Sequence, residues 1–435
     1  MRLRRRGIQN AVSPLWRRIK KLFRKFSRLP EDGAISEEPI DFSAPSVPYY
    51  TGLAERFNLA RIVLYMVLFV FVVVTLFSSR HLITYENLYY LVKDVSAATL
   101  TAQSEADYLN YPISDAHADF ALYRGGLVVA GGQEITVISG SGKQTLSDNV
   151  QLSSPRVRAG ERYFLTFSRG EKGFSVYNAF VKLKGIGTEY PVYDACMARD
   201  GAFAILTRST ELTSVVRFYN EDIHMVAEAG RTGYVTAMDI STDGRTLGLL
   251  SLSLEEEGYV TKLTFLCRTD ATVTQEDVIL TGTTALAAGF VSEDRLAVIF
   301  EDRICIYRTD GRMLSESSFA DDRPALAAIS EDGIAILCRS GGKLTETSLK
   351  AFDKNGNLLY NVAVDHADGA EAILRDGEDV YIQARSQILL VADEGRTQIN
   401  LSIHRDTSVL LSQGNGRILA CGPAFARRIH RSDFT

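Results

Sequence analysis

The side chains best suited to chemistry in this 435-residue chain are few and scattered. Soft metal ligands amount to five cysteines, Cys196, Cys267, Cys305, Cys338 and Cys421, and six histidines, His81, His117, His224, His366, His404 and His430. Structural zinc sites need close pairs of such ligands. The sequence has no C-x-x-C, no H-x-H and no H-x-x-x-H. Four of the cysteines lie in apolar runs such as Ala335-Ile336-Leu337-Cys338 and Ile304-Cys305-Ile306, and Cys196 lies in a more mixed one. The count is odd, and a domain large enough to own a core needs no disulfide framework. All five therefore read as free thiols packed as small hydrophobes. No metal and no cofactor is expected.

The carboxylates offer little more. Asp–Gly pairs occur at 200–201, 243–244, 310–311, 332–333 and 376–377, without the D-x-D-x-D-G run that a calcium loop requires. They read as type I′ turns or close relatives. The densest acid–histidine cluster, Asp365-His366-Ala367-Asp368-Gly369, also reads as a turn between repeats. There is no G-x-S-x-G elbow and no Walker-type phosphate loop. A carboxylate pair for glycoside hydrolysis stays open, because some folds bring distant residues together. Against it, the only tryptophan is Trp16, near the N-terminus. The expectation is a protein that is not an enzyme.

The elements that must carry these residues fall in two compartments. Residues 1–30 hold eleven Lys/Arg and no acid. Residues 1–80 carry +8 and the whole chain −5, so residues 81–435 carry −13. Between them lies LARIVLYMVLFVFVVVTLFSS, residues 59–79, uncharged from Ile62 to Ser79. At about 1.5 Å per residue such a run spans about 27 Å, close to a bilayer's hydrocarbon core. A lone span must be helical to satisfy its own backbone. The run begins too late and runs too long for a cleaved signal peptide. With the cluster of Lys and Arg flanking its N-terminal side and only Arg80 and then Lys93 following it closely, the positive-inside rule places the N-terminus in the cytoplasm and residues 80–435 outside.

The expected organisation is a basic tail (1–30), a Pro/acidic linker (31–57), a single transmembrane helix (58–79), a helical juxtamembrane connector (80–106) and an all-β domain (107–435). In the tail, Leu15, Trp16, Ile19, Leu22, Phe23, Phe26 and Leu29 follow one helical face, and the opposite face is basic. Trp16, Arg17, Arg18, Lys20, Lys21, Phe23, Arg24, Lys25, Phe26 and Arg28 are the candidate membrane-surface residues, with anionic lipid headgroups as their partner.

The outer domain is a repeat. A short apolar stretch, a Gly or Asp turn, a strand, a polar hairpin and a further strand recur, most plainly in VSEDRLAVIFEDRICIYRTDGRML, residues 291–314. First turns at Gly125, Gly160, Gly201, Gly244, Asp294, Gly333, Gly377 and Gly416 recur about every 42 residues, the length of a four-stranded propeller blade. The longest interval contains LSLEEEGYVTKL, with an extended hairpin tip at Glu255–Gly258. The last copy stops after three strands near Arg431, and DYLNYPI (107–113) has no blade before it. Together they supply one complete blade and close a ring. The fold class expected is all-β: a β-propeller of eight blades, alternatively seven, preceded by a single transmembrane α-helix. A pair of β-sandwiches fits the regular period less well.

The basic tail, the single span, the connector TYENLYYLVKDVSAA (84–98) and the degenerate repeats together resemble a family of single-pass membrane proteins. These belong to clostridia and related Firmicutes and are known as a domain of unknown function. The resemblance implies a propeller in a Gram-positive envelope, and no activity. Unpaired cysteines outside the membrane fit an anaerobic Gram-positive host. The blades are loosely similar to WD-repeat-like and quinoprotein-like propellers, but lack the Trp-Asp dipeptide and the Trp docking of those families, so no site residues carry over. The function expected is a membrane-anchored interaction or scaffold domain that binds an envelope protein or polymer. An envelope sensor acting through the basic tail is the alternative, and an extracellular hydrolase the third reading. A domain charge of −13 argues against nucleic acid.

Overall fold

In the computed structural model the described residues are 57, 61–71, 73, 74, 89 and 107–434, excepting 112–114, 116, 257, 270–271, 282–283, 341–346, 366 and 368. The chain divides into two compact units, 1–83 and 84–435. In the first, residues 61–71, 73 and 74 are helical. Among the described residues no helix is long and apolar enough to cross a membrane. The expected span, 58–79, falls only partly on described residues, and the basic tail and the linker lie outside them.

In the second unit, thirty-two strands form eight antiparallel four-stranded sheets. Seven sheets are consecutive in sequence: 119–149, 155–186, 192–231, 234–281, 285–318, 322–363 and 370–402, here blades 1 to 7. Blade 8 takes three strands from 409–430 and its outer strand from Tyr108–Asn110. Eight blades settle the count, and seven is set aside. The inner strands touch in succession around the ring, including the first against the last (Asp119–Tyr123 against Val409–Gly414).

Each blade buries its two faces against its two neighbours, because it cannot bury them alone. The hydrophobic clusters accordingly sit between blades. Leu247, Leu249 and Leu266 of blade 4 pack on Ala204, Val216 and Phe218 of blade 3. Ile334, Ile336 and Phe352 of blade 6 pack on Ile299, Ile304 and Ile306 of blade 5. Cys196, Cys305, Cys338 and Cys421 are buried in these seams as free thiols, and Cys267 is half-buried.

The ring closes where the repeat pattern predicts. Tyr108, Leu109 and Asn110 pair with Arg427, Ala426 and Phe425. Leu109 is fully buried among Phe120, Leu127 and Val129 of blade 1 and Leu419 and Cys421 of blade 8. The Arg428 guanidinium adds a bond to Gly140 O of blade 1 at 3.2 Å, and the Tyr111 hydroxyl donates to Gly422 O.

All inner strands run in one sense, so the ring has two distinct faces. The hairpins joining first to second strands share the lower face, and those joining second to third strands share the upper one. Every first turn assigned from the sequence falls in a lower-face hairpin. Tyr108 begins the closing strand at the lower face. Tyr89, in the connector, sets its ring edge-on to Phe180 of a lower-face hairpin, at 5.1 Å. The Asp–Gly turns are not type I′. Each glycine has positive φ, from +62° at Gly377 to +126° at Gly333, while none of the preceding aspartates does. In the 243–244 turn the Gly244 amide donates to Ser241 O and the Ser241 amide to Thr246 O. The Asp243 carboxylate accepts from the Ser241 hydroxyl and the Arg245 amide. The Asp243 carboxylate thus caps its own turn, and there only the glycine takes a positive φ.

Candidate functional site

Three features stand out: the channel, a tall hairpin and a pocket.

Around the channel, charge gathers on the inner strands of blades 1 to 4. Arg158 reaches Asp119 at 3.4 Å and Asp194 at 3.2 Å, and its Nε donates to Ala195 O at 3.0 Å. The carboxylate of Asp239 accepts from the amides of Ile240 at 2.9 Å and Phe290 at 2.8 Å. Burial nevertheless pushes its pKa up to about 6. The inner strands opposite are largely small and apolar, with Ala325 and Ala327 in blade 6 and Ile373 in blade 7. At the upper mouth, the Arg208 guanidinium lies over the rings of both Tyr193 (4.5 Å) and Tyr234 (5.4 Å), a cation–π stack bridging blades 3 and 4.

Several carboxylates at the inner strands and their turns are structural. Asp119 accepts from the Val157 amide of the next blade at 3.0 Å, Asp332 from Gly377 at 2.9 Å and Asp376 from Gly416 at 2.7 Å. Each staples one blade to its successor. The buried guanidinium of Arg375 does similar work, donating to Ile334 O, Phe352 O and Gly377 O at 2.6–3.1 Å.

The tall hairpin belongs to blade 4. Its strands Thr246–Glu255 and Gly258–Arg268 are the longest in the ring, and they raise the expected tip above the upper face. Cross-strand partners Leu254 and Tyr259 leave 73% and 59% of their surface exposed, and Tyr234, on the same side of the sheet, 58%. Leu286, at the start of blade 5, is also exposed. Exposed apolar side chains grouped in this way mark interaction surfaces. Glu255 and Glu256 sit at the tip.

The pocket opens between blades 1 and 2 and has a volume of about 330 Å³. It is bounded by the upper-face hairpin at 169–173, the crossover at 150–152 and the end of blade 2's outer strand.

The candidate membrane-surface residues Trp16 to Arg28 all lie outside the described residues. Of the Asp365–Gly369 cluster, the described part is a turn between blades 6 and 7, closed by the Ala370 amide on Ala367 O at 3.0 Å. Sequence reasoning missed the Arg208 stack and the pocket. Both depend on which residues of different blades share a seam, which becomes visible only once strand registers are aligned.

Fold and surface together define an eight-bladed β-propeller whose upper face carries its protruding and concave features. The chain belongs to a family of unknown function (DUF5711), whose profile matches residues 104–423. No curated protein matches it in sequence. Similar solved structures include apo AztD from Citrobacter koseri, at 11% identity and a TM-score of 0.47, covering 66% of this chain and 86% of that one. Hsv2 of Kluyveromyces lactis is similar at 13% identity and 0.46, covering 67% and 98%. The hydrazine synthase of Kuenenia stuttgartiensis gives 11% and 0.43, covering 76% and 98%. At these scores the likenesses carry no further argument.

Proposed function

We propose that this is a non-catalytic, membrane-anchored interaction protein of the bacterial cell envelope. The uncharged run within 58–79 anchors it, the basic tail lies on the anionic cytoplasmic surface, and the propeller stands outside. The observation that carries the reading is the blade-4 hairpin. It lifts Leu254 and Tyr259 into solvent on the face opposite to where the chain enters the ring. A soluble domain gains nothing in its own stability by exposing such side chains. With Glu255 and Glu256 above them, the fitting partner is a protein presenting basic residues around an apolar patch. The channel carboxylates Asp119 and Asp194 are tied up by Arg158, which suits a scaffold better than proton transfer.

The test uses cells carrying the full chain with Leu254→Cys, Met313→Cys or Ser27→Cys, treated with a membrane-impermeant photo-crosslinking maleimide. Positions 254 and 313 should be labelled on intact cells and position 27 should not. Only position 254 should capture a partner, and Glu255→Lys with Glu256→Lys should abolish the capture. Labelling of position 27 alone would overturn the topology. Equal capture from 254 and from the lower-face position 313, or capture indifferent to the charge reversal, would overturn the docking role.

A further inference from the structure

The seam between blades 1 and 2 is built differently from the other seven. In each blade one central side chain of the second strand points at the preceding blade. It is Val129, Ile205, Leu249, Val298, Ile336 or Ile382 in six of them and Ala420 in blade 8, every one in a hydrophobic cluster. In blade 2 it is Thr166, buried to 2% exposure. Thr166 pairs with Ser175, and Ser175 with Gly185 on the outer strand. The equivalent rows end in Ser147, Glu228, Asp277, Glu316, Asn361 and Asn400 in blades 1 and 3 to 7. The row of blade 2 therefore starts on a hydroxyl where its counterparts start on an apolar side chain, and it is smaller than they are, and its three residues line the pocket of about 330 Å³.

The chemistry of the walls is specific. The Tyr177 hydroxyl donates to Asp148 Oδ2 at 2.8 Å and has the Thr166 and Ser175 hydroxyls beside it. At the rim, Glu171 accepts from the Ser153 hydroxyl at 2.5 Å, a bond that holds its carboxyl below the usual range and thus ionised. Lys172 stands next to it, and Lys182 lies over the Tyr177 ring at 5.8 Å. Glu171 and Lys172 at the rim, and Asp148 and Lys182 against Tyr177, balance in charge, so the site has no net charge to select an ion. The Thr166, Ser175 and Tyr177 hydroxyls bond to one another and to Asp148, a pre-set group of donors and acceptors with lone pairs left for a further partner. A single bridging water occupies about 30 Å³, so the volume far exceeds that of a water and reaches the range of small-ligand sites, about 300–1,000 Å³.

We infer that the pocket between blades 1 and 2 binds a neutral, polyhydroxylated ring, a sugar unit either free or at the end of an envelope polymer. Donors and acceptors set around a small apolar-walled space match alternating ring hydroxyls. Because the Tyr177 ring is already covered by Lys182 and Phe164, recognition rests on hydrogen bonds and not on stacking. The pocket makes no use of the blade-4 hairpin, so it stands or falls separately from the docking role.

The experiment is calorimetry and saturation-transfer NMR of the full chain in a sugar-free detergent. The probes are glucose, galactose, mannose and N-acetylglucosamine, each as monosaccharide and as oligosaccharide. At least one should bind. Binding of monosaccharides assigns a free sugar, and binding of oligosaccharides alone assigns a polymer end. Thr166→Val with Gly185→Asn restores the row found in the other blades, and should melt like the wild type while losing at least tenfold in affinity. Ser175→Ala removes one hydroxyl at a half-buried position and should lose about threefold or more. Failure of every sugar to bind, or affinity unchanged in both variants, overturns the inference.

Discussion

Asp239 shows what a single residue in this ring both does and costs. Its carboxylate holds the Phe290 amide of the next blade, yet the site is so enclosed that its pKa rises to about 6 against an unfolded value near 3.8. A carboxyl raised in the folded state contributes stability that is complete below the unfolded value and is lost as pH climbs through about 6. Wild-type protein should therefore lose stability relative to Asp239→Asn between pH 4 and pH 7, by about 1–3 kcal/mol, as read from paired thermal melts. Melting curves that stay parallel over that window would remove the argument. The residue scale was also where the sequence was least legible. The burial of Cys305, Cys338 and Cys421 could be read from their apolar neighbours. Nothing adjacent to Arg158, Arg208 or Thr166 announces their roles, because their partners lie in other blades.

At the scale of elements the sequence was legible for the reason that strands and turns are local. All eight first turns fall in the hairpins that join inner to second strands, and the long interval proves to be the blade-4 hairpin. The Asp–Gly pairs are turns as expected, but not of type I′, because only the glycine of each pair takes a positive φ. The glycines at these turns are not equivalent. Gly333 has φ +126°, and a Cβ there would sit 2.6 Å from Phe352 O and 2.7 Å from the Arg375 guanidinium. Gly125 has φ +70° and open space around it. Gly333→Ala should cost about 2–4 kcal/mol and Gly125→Ala about 1 kcal/mol in denaturant unfolding. Similar losses at the two sites would mean that the packing around Arg375 yields more readily than its hydrogen bonds imply.

At the scale of the whole molecule, the blade count and the mode of closure both follow from arithmetic on the repeats. The expected tail and span fall in residues 1–83, a unit separate from the propeller. Closure concentrates stability in a three-residue strand. Leu109→Ala removes a fully buried side chain from the seam joining the two ends, and should destabilise the propeller by about 2–5 kcal/mol. The same substitution at exposed Leu358 should cost less than about 0.5 kcal/mol. A loss at Leu109 no larger than at Leu358 would show that the closing strand is dispensable.

The same strand imposes an order in time. Tyr111 and Gly422, which meet at the seam, are 311 residues apart in the chain. Synthesis delivers Tyr108–Asn110 first and its partner Phe425–His430 last, so the strand has to wait, unpaired, until seven other blades have been made. During that wait one apolar flank of blade 1 stays uncovered. Maturation of the propeller is thereby governed by the completion of blade 8, and any folding factor that serves it has the open seam as its natural target.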